Sequence, residues 1–322
     1  MKTRLLLFLA MSVALFSCQK DEVPIEPFER GPVNSAQVEM GAGYINQVYF
    51  SLDNSMIAGS HFFSDWDVAF EGGAEGWKII LNDARLMMAW GSGFENIAEA
   101  NDSTGFGSGK RVEVMATIHT DPAMGNWREN TAVYLLDLGY SPAGMPLGLY
   151  WIQILSVDDA GYHVKTKEFG NEVVTESIVQ KQEDVSYNHY SIINNAVIPS
   201  PVDQDWDIQF TKYTYRFIDP PQDYLVTGVV LNPNNTVAAE LFDQSFADVT
   251  LVDTAQVEFS NQPDIIGYDW KHYNFGSSTF EVNADRVWII RNASGFYYKF
   301  RFTDFYDNQG QAGVPGFEYG KI

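Results

Sequence analysis

The chain has 322 residues, with 20 basic against 42 acidic side chains and a net charge of −22. So acidic a surface repels phosphate backbones, which excludes nucleic acid as a natural partner. Aromatics at 15% and 26 glycines favour strands and turns, and a single cysteine excludes an internal disulfide.

Taken in chain order, the first element is an address. Lys2 and Arg4 precede an apolar run, Leu5 to Phe16, that is too short to span a bilayer comfortably, and the small residue Ser17 precedes Cys18. Charge, apolar core and small residue in that order make residues 1–17 a secretory signal peptide. Leu15-Phe16-Ser17-Cys18 resembles a lipobox, although Phe16 is bulkier than usual there. It implies that Cys18, the only cysteine, is lipidated and becomes the new N-terminus. Losing Lys2 and Arg4 takes the net charge to −24. Residues 18–32 follow as a flexible tether kept extended by Pro24, Pro27 and Pro32. Gln19-Lys20-Asp21-Glu22 resembles the acidic surface-export tag of Bacteroidetes lipoproteins. The expected location is the outer membrane, lipid-anchored and facing the exterior, with membrane lipid as the first partner. Beyond the signal no apolar run is long enough for a span.

The next elements repeat. Asp65-Trp66-Asp67-Val68-Ala69-Phe70 recurs 140 residues later as Asp205-Trp206-Asp207-Ile208-Gln209-Phe210. Asn46 to Leu52 precedes the first copy and Asn188 to Ile193 the second. Ile79-Ile80-Leu81-Asn82 follows the first and Val229-Val230-Leu231-Asn232 the second. Further on, Leu149 to Ile154 matches Arg286 to Arg291, with Trp66 to Trp151 spanning 85 residues and Trp206 to Trp288 spanning 82. Four matched features in one order indicate two homologous halves, 33–180 and 181–322.

Three run-turn-run stretches read as hairpins: Leu149 to Val157 with Tyr162 to Phe169, Tyr224 to Leu231 with Thr236 to Leu241, and Val287 to Arg291 with Phe296 to Thr303. No long 3.6-residue period is present, so helix is scarce, with a turn near Ser245 to Asp248. The expected fold is all-β: an antiparallel, sandwich-like arrangement of two homologous halves. Alternation puts Trp66, Val68 and Phe70 on one core face, with Asp67 outward or capping a turn. Trp206, Ile208 and Phe210 read the same way.

The second half resembles the HmuY-like haem-binding lipoproteins of Bacteroidetes. The resemblance rests on Trp206 to Phe210, Thr227-Gly228-Val229-Val230-Leu231-Asn232, Arg286 to Arg291, Tyr297 to Tyr306 and Gly316-Phe317-Glu318-Tyr319. It covers most of residues 185–322 and, more weakly, the first half. It implies an all-β outer-membrane lipoprotein that captures haem, with a TonB-dependent transporter as a partner. It also implies two axial histidines. One should lie near Phe275 or Gly276, where His272 is close but out of register. The other should fall between Ala239 and Gln262, which hold neither His nor Met.

Haem iron takes His, Met, Cys or Tyr as axial donors. All nine methionines lie at or before Met145. Val114 to His119 alternates as a strand would, which places Met115 and His119 on one face. The candidate donors are therefore His119, Met115, His272, Met87 and Met88. Met124 and Met145 are weaker candidates, as are His61, His163 and His189. Each also reads as ordinary packing or surface.

No Gly-x-Ser-x-Gly elbow, His-Glu-x-x-His pair, phosphate loop or cysteine nucleophile is present, so no catalytic residue and no metal site is nominated. Asp304 to Gly310 could offer oxygens to Ca²⁺ but reads first as a polar turn. Two function classes stand. One is a haem binder serving uptake. The other is a non-haem module for a glycan, a peptide or a transporter partner, in which Trp77, Trp90 and Trp127 would stack on ligands or else pack in the core.

Overall fold

A computed structural model describes residues 31–322 except 131, 132 and 235. The signal peptide, Cys18 and all but the end of the tether lie outside the described residues. Among those described, no helix is long and apolar enough to cross a membrane.

In chain order the strands are β1 (Asn34–Gln37), β2 (Asn46–Ser51), β3 (Met56–Phe62), β4 (Val68–Glu71), β5 (Ile79–Leu81), β6 (Met88–Gly91) and β7 (Arg111–Val112). They continue as β8 (Val133–Asp137), β9 (Leu149–Val157), β10 (Gly161–Glu168), β11 (Thr175–Gln180), β12 (Tyr187–Ser191), β13 (Ala196–Ile198) and β14 (Ile208–Ile218). The last are β15 (Pro221–Leu231), β16 (Val237–Leu241), β17 (Lys271–Asn274), β18 (Thr279–Val282), β19 (Val287–Arg291), β20 (Tyr297–Tyr306) and β21 (Ala312–Lys321). Among the described residues helix is confined to short segments, as at Phe106–Gly109, Trp127–Asn130 and Leu251–Ala255. The fold is all-β and antiparallel, as the composition implied.

The strands form two sandwiches. Sheet β15-β14-β2-β3 packs on sheet β1-β21-β20-β19-β16 through Phe50, Phe210, Trp288, Phe300 and Phe317. Sheet β13-β12-β4-β5 packs on sheet β11-β10-β9-β8-β6-β7 through Val68, Phe70, Leu136, Ile152 and Tyr162. Truncating a core phenylalanine such as Phe70 or Phe210 to alanine costs about 3–5 kcal/mol. Strand alternation then sends every second residue of the two inner sheets the other way. Phe70 and Leu81 face their sandwich, while Ala69 and Ile80 join Trp66, Met115, Ile118, Tyr213 and Val230 in a separate cluster between the inner sheets.

The matched segments exchange strands. β2 pairs with β14, and β12 pairs with β4, so each Trp-Asp strand takes its neighbour from the other end of the chain. The two junctions carry the same hydrogen bonds. Asp67 Oδ2 accepts from Ile192 N, and Asp207 Oδ2 from Leu52 N. Asn82 Nδ2 donates to the carbonyls of Phe63 and Trp66, and Asn232 Nδ2 to those of Asp203 and Trp206. Residues 31–322 make one compact unit.

Three expectations need correction. Tyr224 to Leu231 and Thr236 to Leu241 are not a hairpin: β15 pairs with β14 and β16 with β19, because the buried Asn232 pins the exit of β15 and turns the chain to the other sheet. Val114 to His119 is not a strand. Met115–Thr117 is a 3-10 turn, with Thr117 N donating to Val114 O and Ile118 N to Met115 O. Trp66 does not share a face with Val68 and Phe70, because it precedes β4 and packs into the inter-sheet cluster. Asp67 caps a turn, but it is buried rather than outward, held by Arg85 at 2.5 Å.

Candidate functional site

Between the two inner sheets lies a cleft with two compartments. The inner slot, about 90 Å³, is lined by the side chains that alternation turns away from the sandwich cores, among them Gln47, Tyr49, Ile80, Tyr187, His189, Gln209, Thr211 and Val230, together with Trp66 and Trp206. The outer basin, about 470 Å³, is polar. Its wall includes Glu71, Lys78, Thr120, Glu183, Asn234, Asn261 and Gln262. His119, Tyr187, Ser186 and Asp203 line both. The basin falls in the size range of small-molecule sites.

His119 stands at the border. Its Nδ1 lies 3.2 Å from Tyr187 Oη, and its ring stacks on that of Tyr187 with centroids 5.3 Å apart. Lys78 Nζ donates to the His119 carbonyl at 2.8 Å. Burial, reinforced by the Lys78 charge, lowers the imidazole to a pKa of about 4. The ring is therefore neutral near pH 7, the form that ligates metals. Met115 is buried on the slot wall one 3-10 turn earlier. The strand expected at this point is absent, yet both donors line the same slot.

The other candidates are dispersed. Met87 is fully buried in a sandwich core, and Met88 sits in β6 away from the cleft lining. His272 is exposed on the β17–β18 hairpin, 3.4 Å from Glu281. Met124 is buried in the core and Met145 is exposed in a turn. His163 pairs with Glu176 at 2.6 Å. Trp127 donates to the Trp77 carbonyl, Arg128 lies over the Trp77 ring, and Gly105 and Gly109 press on Trp90, so all three tryptophans serve packing. Asp304 and Asp307 accept from backbone amides of their own turn.

Sequence reading underrated a second histidine pair. His189 stacks on Trp66 with centroids 4.2 Å apart and meets His61 edge-on at 5.2 Å. Ser200 Oγ contacts His189 Nδ1 at 2.8 Å, and Tyr49 Oη contacts His61 Nε2 at 2.8 Å. His61 Nδ1 donates to the Phe62 carbonyl, which leaves Nε2 to accept from Tyr49. Burial lowers both imidazoles, that of His189 further through its neighbour His61. Asp83 and Arg85 were missed altogether. The only sequence signal was charge lodged between the apolar runs Ile79 to Leu81 and Leu86 to Met88.

The HmuY protein family matches residues 43–319. The chain belongs to the HmuY family. Solved structures resemble it at low identity. The apo form of PinO from Porphyromonas gingivitis is 10% identical, with 90% of this chain and 97% of that one covered and a TM-score of 0.26. The apo HmuY analogue of Tannerella forsythia is 10% identical, with 91% and 98% covered and a TM-score of 0.26. An HmuY-like haem-binding protein from Bacteroides vulgatus is 12% identical, with 41% and 78% covered and a TM-score of 0.24. No curated protein matches the chain.

Proposed function

We propose that this HmuY-family chain is a cell-surface lipoprotein, anchored through Cys18, that binds haem or a related flat ligand for uptake and carries out no catalysis. The observation that carries the reading is His119: a neutral imidazole on the wall shared by basin and slot, oriented by Tyr187, with the Met115 thioether on the same slot. Histidine and methionine are an established axial pair for haem. The positions that the resemblance implies, in 239–262 and near 275, supply only the exposed His272. Haem capture here would therefore use a different wall of the fold. The chain is read as two halves, 33–180 and 181–322, descended from one repeat. The matched hydrogen bonds of Asp67 with Asp207 and of Asn82 with Asn232 support this.

A haemin titration of the purified protein tests the reading. We expect a Soret shift at micromolar haemin that is lost in His119→Ala, reduced in Met115→Ala and unchanged in His272→Ala. Tyr187→Phe should weaken binding roughly tenfold by freeing the imidazole. No Soret shift, or one indifferent to His119, overturns it.

One observation favours the second class. Glu71, Glu183 and Asp203 with Asn234, Asn261 and Gln262 make the basin wall rich in carboxylates and amides, which suits a polyhydroxylated ligand better than haem propionates. A thermal upshift with a glycan and none with haemin would establish it.

A further inference from the structure

The described chain begins where its last strand ends. Gly31 and Val33 pack against Lys321 and Gly320 at the foot of β21. Lys321 is paired with Tyr298 of β20, and Arg291, the last residue of β19, with Tyr297. The β2–β3 turn joins this end of the sandwich, with Asp53 accepting from Asn292 Nδ2 at 2.8 Å and from the Tyr298 hydroxyl. Three apolar side chains stand open to solvent here: Val33 at 50%, Met56 at 56% and Phe296 at 43%. Lys321 Nζ lies over the Phe296 ring, 2.9 Å from its centroid.

Charge sets this end apart. Arg291 and Lys321 take part in none of the ion pairs among the described residues. That is unexpected in a chain with 42 acidic and 20 basic side chains. Of the neighbouring carboxylates, Asp53 is hydrogen-bonded as above and Glu318 is paired with Arg301 at 2.6 Å. Glu258 is the opposing charge, next to the Phe259 whose ring meets that of Tyr297 at 5.7 Å. Cations set among apolar and aromatic side chains suit an anionic headgroup layer. The opposite end is distant. The ten residues of β21 carry the sheet about 30 Å from Lys321 to Ala312. There Gly313 presses on Tyr44, Lys212 lies over the Tyr44 ring, and β14 continues past Lys212 to its turn with β15 at Ile218.

We propose that the end formed by Gly31 and Lys321 rests on the anionic headgroups of the bilayer that carries the chain. Arg291 and Lys321 meet the phosphates, and Phe296, Met56 and Val33 meet the apolar boundary. The inference rests on the reading of Cys18 as the anchor. Residues 18–30 span at most about 45 Å when extended, so the anchor alone keeps the body near the membrane without orienting it. The rest of the acidic surface is repelled by the same headgroups within a Debye length of about 8–10 Å. The body therefore settles on this end, and the β14–β15 turn points outward.

Fluorescence quenching on the lipidated full chain tests this. The protein is reconstituted on vesicles of phosphatidylethanolamine and phosphatidylglycerol that carry a lipid spin-labelled at its headgroup. With Cys18 acylated, Ser294→Cys in the β19–β20 turn, or Gln222→Cys beside the far turn, supplies the single free thiol for a fluorophore. The label at 294 should be quenched several-fold more strongly than the label at 222. Reversing either cation should lower the docked population roughly fivefold. Arg291→Glu with Lys321→Glu should bring the 294 label to the level of 222 while the protein stays on the vesicles. Glu258→Lys should raise quenching at 294, and vesicles of phosphatidylcholine alone should lower it. Equal quenching at the two positions, or quenching at 294 that survives the double substitution, overturns the proposal. A parent chain that leaves the vesicles refutes the anchor and this inference together. The other outcomes are read with the chain still bound, so the two failures are told apart.

Discussion

Arg85 is a guanidinium 1% exposed to solvent, and its surroundings explain how a charge survives there. Nε and Nη2 donate to the Leu138 carbonyl, Nη1 to the Trp66 carbonyl, and Nη2 also to Asp67 Oδ1. Removing one partner of such a pair leaves the other buried and uncompensated. Arg85→Met should therefore cost about 3–5 kcal/mol in urea denaturation, and Asp67→Asn with Arg85→Met together less than the sum of the single changes. Glu113 presents the opposite case, a buried carboxyl whose nearby cation, Arg111, is ion-paired with Asp121 instead and only partly offsets its burial. Its oxygens accept from Leu81 N and Ala123 N, but burial raises its pKa to about 8 from 4.5. The native state thus holds this proton more tightly than the unfolded chain. Its contribution is complete below about pH 4.5 and is lost as pH rises through about 8. Glu113→Gln should remove that loss. Its melting temperature relative to the parent should climb between pH 5 and pH 8.5 in a calorimetric series, and a flat difference would show that Glu113 ionises freely in the fold.

Asn82 and Asn232 act on whole strands. Each reaches back to two backbone carbonyls, that of the Trp in the Trp-Asp pair and one three residues before it, and fixes where the following strand ends. Asn232→Ala leaves those carbonyls unmet, and a loss of about 1–3 kcal/mol per unsatisfied group is expected, read as a lower urea midpoint at constant m-value. These residues also account for what the sequence made legible. The hairpins β9–β10 and β19–β20 were readable because their turns are local: Asp158 Oδ1 accepts from Ala160 N and Gly161 N, and Asn292 Oδ1 from Phe296 N. The stretch after β15 looked the same in composition, but its turn is set by partners 26 and 29 residues away. The 3-10 turn at Met115 was hidden in a similar way. Its alternation of apolar and polar residues is that of a strand, while the flanking Glu113 ties its segment to Leu81 and Ala123.

At the scale of the molecule the two matched segments hold each other. β2 lies in a sheet with β14 and β15, and β12 in a sheet with β4 and β5, so neither 33–180 nor 181–322 contains its own complete inner sheet. Expressed separately, each should give poorly dispersed amide NMR spectra, and mixing the two should restore the native spectrum. A half that folds cooperatively alone would contradict this. The same interlock explains why the cleft was only partly visible beforehand. His119 and Met115 were nominated from donor chemistry and an expected strand spacing, but Trp66, His189, Asp83 and Trp206 come to line one cleft only through strand pairings more than a hundred residues apart.

The edge strand β1 adds a constraint on timing. It is hydrogen-bonded only to β21, with Asn34 opposite Tyr319 and Gln37 opposite Gly316. β2 waits for β14 and β4 for β12 in the same way. An emerging polypeptide therefore meets its earliest strand's partner last, and loop closure over nearly the whole length precedes the reward of that pairing. The first strand of the sheet thus closes only against β21, Ala312–Lys321, so the two most distant strands of the described residues lock each other.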